Sequence, residues 1–149
     1  MQVELVRITN PQQWRAYHDI RRRILYEERG RSGVYDESHP DDRLADNHAL
    51  LLIVDGCPRA TVRLDLVGSG RAIVRTVAVE VEHQRRGFGR TLLKRMEKYA
   101  RAQGVEVLEV NSAPDAVEFY ARLGWLMVDS QQKSPLLRKR LTDSMGNDR

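Results

Sequence analysis

The sequence predicts an α/β fold of the α+β kind: one domain in which a mixed sheet is flanked by helices. Three observations predict it. Segments of strand period and segments of helix period follow one another in the order β-α-loop-β-β-β-α-β-α-β-β. A basic, glycine-bearing turn, Gln84-Arg85-Arg86-Gly87-Phe88-Gly89-Arg90, joins an apolar strand to an amphipathic helix. The 149 residues, 41% of them apolar, suffice for one core, so residues 1–149 read as a single domain.

Val3 to Ile8 alternates and reads as a first strand. Asn10, Pro11 and Gln13 then supply an N-cap, a helix-opening proline and a glutamine at the capping-box position. Trp14, Tyr17, Ile20 and Ile24 follow at helical spacing, and the helix should run, whole or in two pieces, to about Arg29, where Gly30 ends it. Residues 30–48 have no period and are rich in Gly, Ser, Asp and Pro, which predicts a long loop. Ala49 to Val54 is an apolar strand. Arg59 to Val67 alternates apolar with polar or charged residues and pairs with it through the turn Asp55-Gly56-Cys57-Pro58. Gly68-Ser69-Gly70 leads into the strand Ala72 to Val81. The helix Arg90 to Gln103 carries Leu92, Leu93, Met96 and Ala100 on one face, with Gly104 as its C-cap. A strand from Val105 to Asn111, a short helix and two strand-like segments, 126–129 and 135–141, complete the chain; the tail 142–149 reads as frayed.

Charge and cysteine usage narrow the function. The formal charge is +4, and the basic residues are scattered rather than gathered into a tract, so no nucleic-acid partner is expected. No apolar run reaches membrane-spanning length and no signal peptide opens the chain, so no membrane is expected either. The lone Cys57 rules out an internal disulfide framework and fits a reducing cytoplasm. No cluster of His, Cys and carboxylates has metal-ligand spacing, so no metal is expected.

The turn at 84–90 is where chemistry first shows. The first N–H groups of a helix lack intrahelical partners, and the helix dipole adds partial positive charge there. Gly87 and Gly89 let backbone approach a ligand, and Arg85, Arg86 and Arg90 add formal charge, which together suit a diphosphate. The spacing is neither the dinucleotide fingerprint nor a P-loop. It is Gln-x-x-Gly-x-Gly, and it resembles the coenzyme A signature of the GNAT superfamily of N-acyltransferases. Val77-Ala78-Val79 ahead of the turn, and Phe119-Tyr120-Ala121-Arg122-Leu123-Gly124-Trp125 after the next strand, match that family in order and separation.

The resemblance implies a mostly antiparallel mixed sheet, acetyl-CoA as cosubstrate and an amine acceptor, small molecule or protein, as partner. Homodimers are common in the family, although no segment here carries an interface signature. It implies that Val77, Ala78 and Val79 lie along the pantetheine, that Gln84, Arg85, Arg86, Gly87, Phe88, Gly89 and Arg90 hold the diphosphate, and that Asn111, Ala116, Phe119 and Arg122 line the coenzyme. It also implies that Tyr120 is the general acid, since a phenol is protonated at neutral pH and can donate to a departing thiolate. Two departures stand out: Ala113 replaces an asparagine many relatives carry, and Arg75 and Thr76 occupy a stretch that often supplies a catalytic glutamate. Glu27 and Glu28, at the end of the first helical segment, are the candidates for a base, Glu28 foremost. The acids Asp36, Glu37, Asp41, Asp42 and Asp46 outnumber Arg43 in the long loop, and this predicts recruitment of a cationic amine. The alternative to an enzyme is a non-catalytic acyl-CoA-binding or regulatory module of the same fold.

Overall fold

The computed structural model describes residues 1–80 and 87–141. Its elements are β1 (Val3–Arg7), α1 (Pro11–Arg21), β2 (Asn47–Val54), β3 (Cys57–Gly68), β4 (Arg71–Val79), α2 (Phe88–Ala102), β5 (Val107–Asn111), α3 (Val117–Arg122), β6 (Leu126–Asp129) and β7 (Leu136–Arg140). The strands form one sheet in the order β1-β2-β3-β4-β5-β7-β6. Every neighbouring pair is antiparallel except β4 and β5, which run parallel because α2 carries the chain across between them.

Helices cover both faces. On one, Leu92, Leu93, Met96 and Ala100 of α2 pack on Leu50, Leu52, Val62, Leu64 and Val74 of the sheet. On the other, Tyr17, Ile20 and Ile24 pack on Ala49, Leu51 and Ala78. Each fully buried leucine contributes roughly 1.5–3 kcal/mol, so both layers are anchored by a handful of side chains. The helix start is capped as its residues predict: the Gln13 amide N–H donates to Asn10 Oδ1 at 2.8 Å. The Gln13 side chain reaches back one residue further than a capping box requires, accepting from the Thr9 N–H at 2.8 Å.

The first helical segment changes geometry twice along its length. Regular α-helix stops at Arg21, a π turn spans Arg22–Tyr26, a 3₁₀ turn spans Glu27–Arg29, and Gly30 closes the segment with a left-handed φ of 74°. Widening to π geometry shifts the face that later side chains present. Arg23 thereby reaches Glu80 beyond the end of β4, with its Nη2 3.3 Å from Oε1.

The polar face of β3 is not a solvent face. Arg63 and Asp65 are buried beneath α1 and the segment 40–43, a 3₁₀ turn inside the long loop. Arg63 Nε and Nη2 donate to the Asp65 carboxylate at 2.8 and 2.9 Å. Asp42 joins them: its Oδ1 accepts from Arg21 Nη1 at 2.8 Å and from Arg63 Nη1 at 3.0 Å, and its side chain is 2% exposed. Alternation along β3 therefore marks two buried faces, one apolar and one ionic.

Asp42 holds two buried guanidinium groups, and removing it leaves both uncompensated. Asp42→Ala is expected to cost ~3–5 kcal/mol of unfolding free energy, read by urea denaturation. Asp41→Asn, at the neighbouring exposed carboxylate, should stay within ~0.5 kcal/mol. Equal effects at the two positions would contradict the ionic layer.

Two histidines make stability pH-dependent. His18 Nδ1 lies 2.5 Å from the Tyr35 hydroxyl and His48 Nδ1 lies 2.6 Å from the Tyr99 hydroxyl. Burial lowers the pKa of both imidazoles below the usual 6.5. Each is held neutral in the fold, so protonation favours the unfolded chain. Their contribution is full above about pH 6.5 and is lost as pH falls below it. Urea midpoints should fall from pH 7 to pH 5, and less steeply in His48→Gln; equal slopes in the two proteins would contradict this.

Candidate active site

β4 and β5 are hydrogen-bonded partners only from Arg71–Val107 to Val74–Val110. Beyond that point β4 carries an extra residue against β3: Arg63 faces Arg75, whereas Thr61 faces Ala78. The residue in the bulge is Thr76, at a φ of 53°. A β-branched residue there is strained, at a cost on the order of 1–3 kcal/mol. The bulge resets the alternation: Val74 and Val77 both face the α2 layer, while Arg75 and Ala78 face the α1 layer.

A cleft of about 450 Å³ opens where the two strands part. Thr76 and Val77 form one wall, and Asn111, Ser112 and Ala113 form the other. Ala116, Phe119 and Tyr120 close it from the α3 side; Leu25, Arg29, Arg31 and Arg75 close it from the α1 side. The Thr76 hydroxyl is buried without a partner among the described residues.

Tyr120 is 5% exposed and sits between two aromatic rings, Phe119 at 5.4 Å and Trp125 at 5.3 Å, both edge-on. Burial pushes its pKa up to about 12. Among the described residues its hydroxyl has no hydrogen-bond partner, so it is a protonated donor with its proton uncommitted. Gly124, at a φ of 92°, turns the chain after α3 and brings Trp125 back onto the tyrosine.

The start of α2 lies on the same face as Tyr120. Gly87 is its N-cap at a φ of 81°, without a side-chain cap and without an acid in the first turn. Such a helix end suits an anion. The two glycines serve different ends. Gly87 supplies a conformation other residues resist, whereas Gly89 supplies space: a Cβ there would stand 3.3 Å from Phe119 Cζ. Phe88 is buried and Arg90 is exposed. Gln84, Arg85 and Arg86 lie outside the described residues, as does the tail 142–149.

Other residues singled out from the sequence are distributed unevenly. Val77, Asn111, Ala116 and Phe119 border the cleft. The Asn111 side-chain nitrogen is engaged elsewhere, donating to Gln132 Oε1 at 3.1 Å and to the Ser134 carbonyl at 3.3 Å. Ala78 faces the α1 layer, and Val79 is buried toward α2. Arg122 is exposed, pairs with Glu118 at 2.8 Å and does not border the cleft. Glu27 and Glu28 are exposed on the 3₁₀ turn and do not border it either. Glu80 is clamped between Arg23 and Arg59. None of the described residues lining the cleft is Asp, Glu or His.

None of the acids of the long loop is among the described residues lining the cleft. Asp42 is buried under its two arginines, Asp36 accepts from Ser38 N–H and Oγ at 2.9 and 2.7 Å, and Asp36 and Asp41 border a separate depression. The cleft residues that sequence reading did not single out as a site include Leu25, Arg29, Arg31, Arg75 and Thr76. The departure from the family pattern at Arg75 and Thr76 was the one sequence signal that pointed toward any of them.

An open mixed sheet whose one parallel pair parts at a bulge, with a tyrosine at the gap and a helix start without a side-chain cap beside it, is the architecture of the GNAT fold. The chain matches the model of the acetyltransferase (GNAT) family over residues 14–125 and belongs to that family. A Bacillus subtilis (strain 168) protein named as an acetyltransferase is 25% identical over 120 residues, 80% of each chain. Among solved structures, an acyl-CoA N-acyltransferase from Pseudomonas aeruginosa superposes with a TM-score of 0.78 at 19% identity, over 93% of this chain and 98% of that one. The PaiA N-acetyltransferase from Thermoplasma acidophilum, solved in complex with coenzyme A, superposes at 0.74 with 15% identity, over 94% and 99%. At these identities the two superpositions bear on the fold.

Proposed function

We propose that the chain is an N-acetyltransferase that moves the acetyl group of acetyl-CoA to a primary amine, by direct attack of the amine on the thioester. The observation that carries this reading is Tyr120: a buried phenol, held protonated, at the gap where β4 leaves β5. Acetyl-CoA supplies the activated acyl group.

This chain's residues do the rest. The α2 start, with Gly87 in its left-handed conformation, offers N–H groups and dipole to the diphosphate. Val77, on the stretch of β4 that no longer pairs with β5, offers a strand edge to the pantetheine amides. Phe119, packed against Gly89, sets the floor between those two contacts. Tyr120 donates its proton to the sulfur as the carbon–sulfur bond breaks. The amine must arrive deprotonated, and with no carboxylate or imidazole among the described lining residues, solvent takes that proton.

Gly87→Glu puts a side chain and a negative charge at the diphosphate position and a strained φ at the cap. Acetyl-CoA should raise the melting temperature of the wild type, and this variant should lose the rise. A retained rise in a folded variant would remove the α2 start from the site.

Tyr120→Phe should lower kcat ~10²–10⁴-fold while coenzyme affinity changes little, because the hydroxyl acts mainly as the thiolate leaves. Steady-state kinetics with a free-thiol readout checks this. Full activity would reduce Tyr120 to a packing residue.

A further inference from the structure

We propose that Arg29, Arg31 and Arg75 form an oxyanion subsite, and that the acceptor is a small amine carrying a carboxylate or phosphoryl group beside its amino group. The inference rests on the acetyl-transfer reading above and names the acceptor for it.

Three arginines line the cleft, and no Asp or Glu does among the described residues. They stand on the α1 side: Arg75 faces the buried ionic layer, and Arg29 and Arg31 follow the helical segment that covers that face. The α2 start and its neighbour Phe119 are on the opposite face. The diphosphate of the acyl donor is therefore not what these arginines neutralise.

Among the described residues, a carboxylate meets only Arg75, and only loosely. Arg29 and Arg31 have no carboxylate partner among the described residues. Arg31 also borders the depression that holds Asp36 and Asp41, but pairs with neither. Arg75 Nε is 3.4 Å from Asp65 Oδ2, a carboxylate already taking two shorter bonds from Arg63. The arginines are nonetheless held. Gly30 turns at a φ of 74°, Arg31 N–H donates to the Tyr26 carbonyl at 2.8 Å, and the Arg31 guanidinium stacks 4.9 Å from the Tyr26 ring centre. Stacking leaves the planar donor fork free for a bidentate acceptor.

A forked guanidinium matches a carboxylate or phosphoryl group, and three of them repel an ammonium. That combination binds the acceptor by its anion and lowers the pKa of its amine, which supplies the free nucleophile in a cleft whose described lining holds no Asp, Glu or His. At about 450 Å³ shared with the thioester end of the donor, the space suits a small acceptor.

The test uses matched acceptors: L-amino acids against their carboxamides, and aminoalkylphosphonates against alkylamines, with kcat/KM expressed per free amine. The anionic member should be preferred at least tenfold by the wild type, and the stronger arm identifies which oxyanion is taken. Arg31→Gln and Arg75→Gln should each drive that ratio toward one, mainly through KM. Separately, with coenzyme A saturating, inorganic phosphate should raise the melting temperature of the wild type and not of the Arg29→Gln/Arg31→Gln/Arg75→Gln protein. Amine turnover with equal or reversed preference, or a phosphate shift that survives in the triple variant, overturns the subsite and leaves acetyl transfer standing. Failure of acetyl-CoA to bind and of every amine to turn over defeats the underlying reading instead.

Discussion

The parting of β4 from β5 is the constraint on which the rest of this molecule depends. Two parallel strands that stayed paired to their ends would seal the sheet and leave no passage between its faces. Here pairing stops at Val74, and the residue that stops it is a threonine held at a φ of 53°. The strain is sustained because β3 pins β4 on both sides of the bulge, through Arg75 before it and Ala78 after it. One inserted residue both opens the cleft and sends Val77 toward the α2 layer and Arg75 toward the α1 layer. The two sides of the cleft are thus set apart by a single change of phase.

Charge is divided between two places with opposite logic. In the layer under α1, every guanidinium is matched by a carboxylate: Arg21 and Arg63 on Asp42, Arg63 again on Asp65. Such a layer fixes α1 and the loop 40–43 to β3, since each partner left alone would be a buried charge. In the cleft, a few residues away, Arg29 and Arg31 have no carboxylate partner among the described residues, and Arg75 shares Asp65 with Arg63. Of the acids of the long loop, which look from the sequence like a lure for cations, Asp42 is spent on two arginines and Asp36 on a turn with Ser38.

Membership of the GNAT family accounts for the sheet order, the α2 crossover and the aromatic turn at Phe119 to Trp125. The α1 side of the cleft is built from irregular backbone after α1, the π turn, the 3₁₀ turn and Gly30, together with Arg75.

The sequence by itself determined the sheet-and-helix order, the basic glycine turn, the capped start of α1 and the aromatic segment around Tyr120, because each of these is written in local periodicity, caps or fixed spacing. It also marked Arg75 and Thr76 as departures. Only the tertiary structure decided what those departures do. A bulge depends on the register between strands, which no single segment encodes. Burial of Asp42, exposure of Glu28 and release of Arg122 from the cleft depend on which surfaces meet. The sequence showed that carboxylates and arginines were both abundant; which of them cancel, and which remain to meet a ligand, is fixed by distances between residues 21, 42 and 63 that are far apart along the chain.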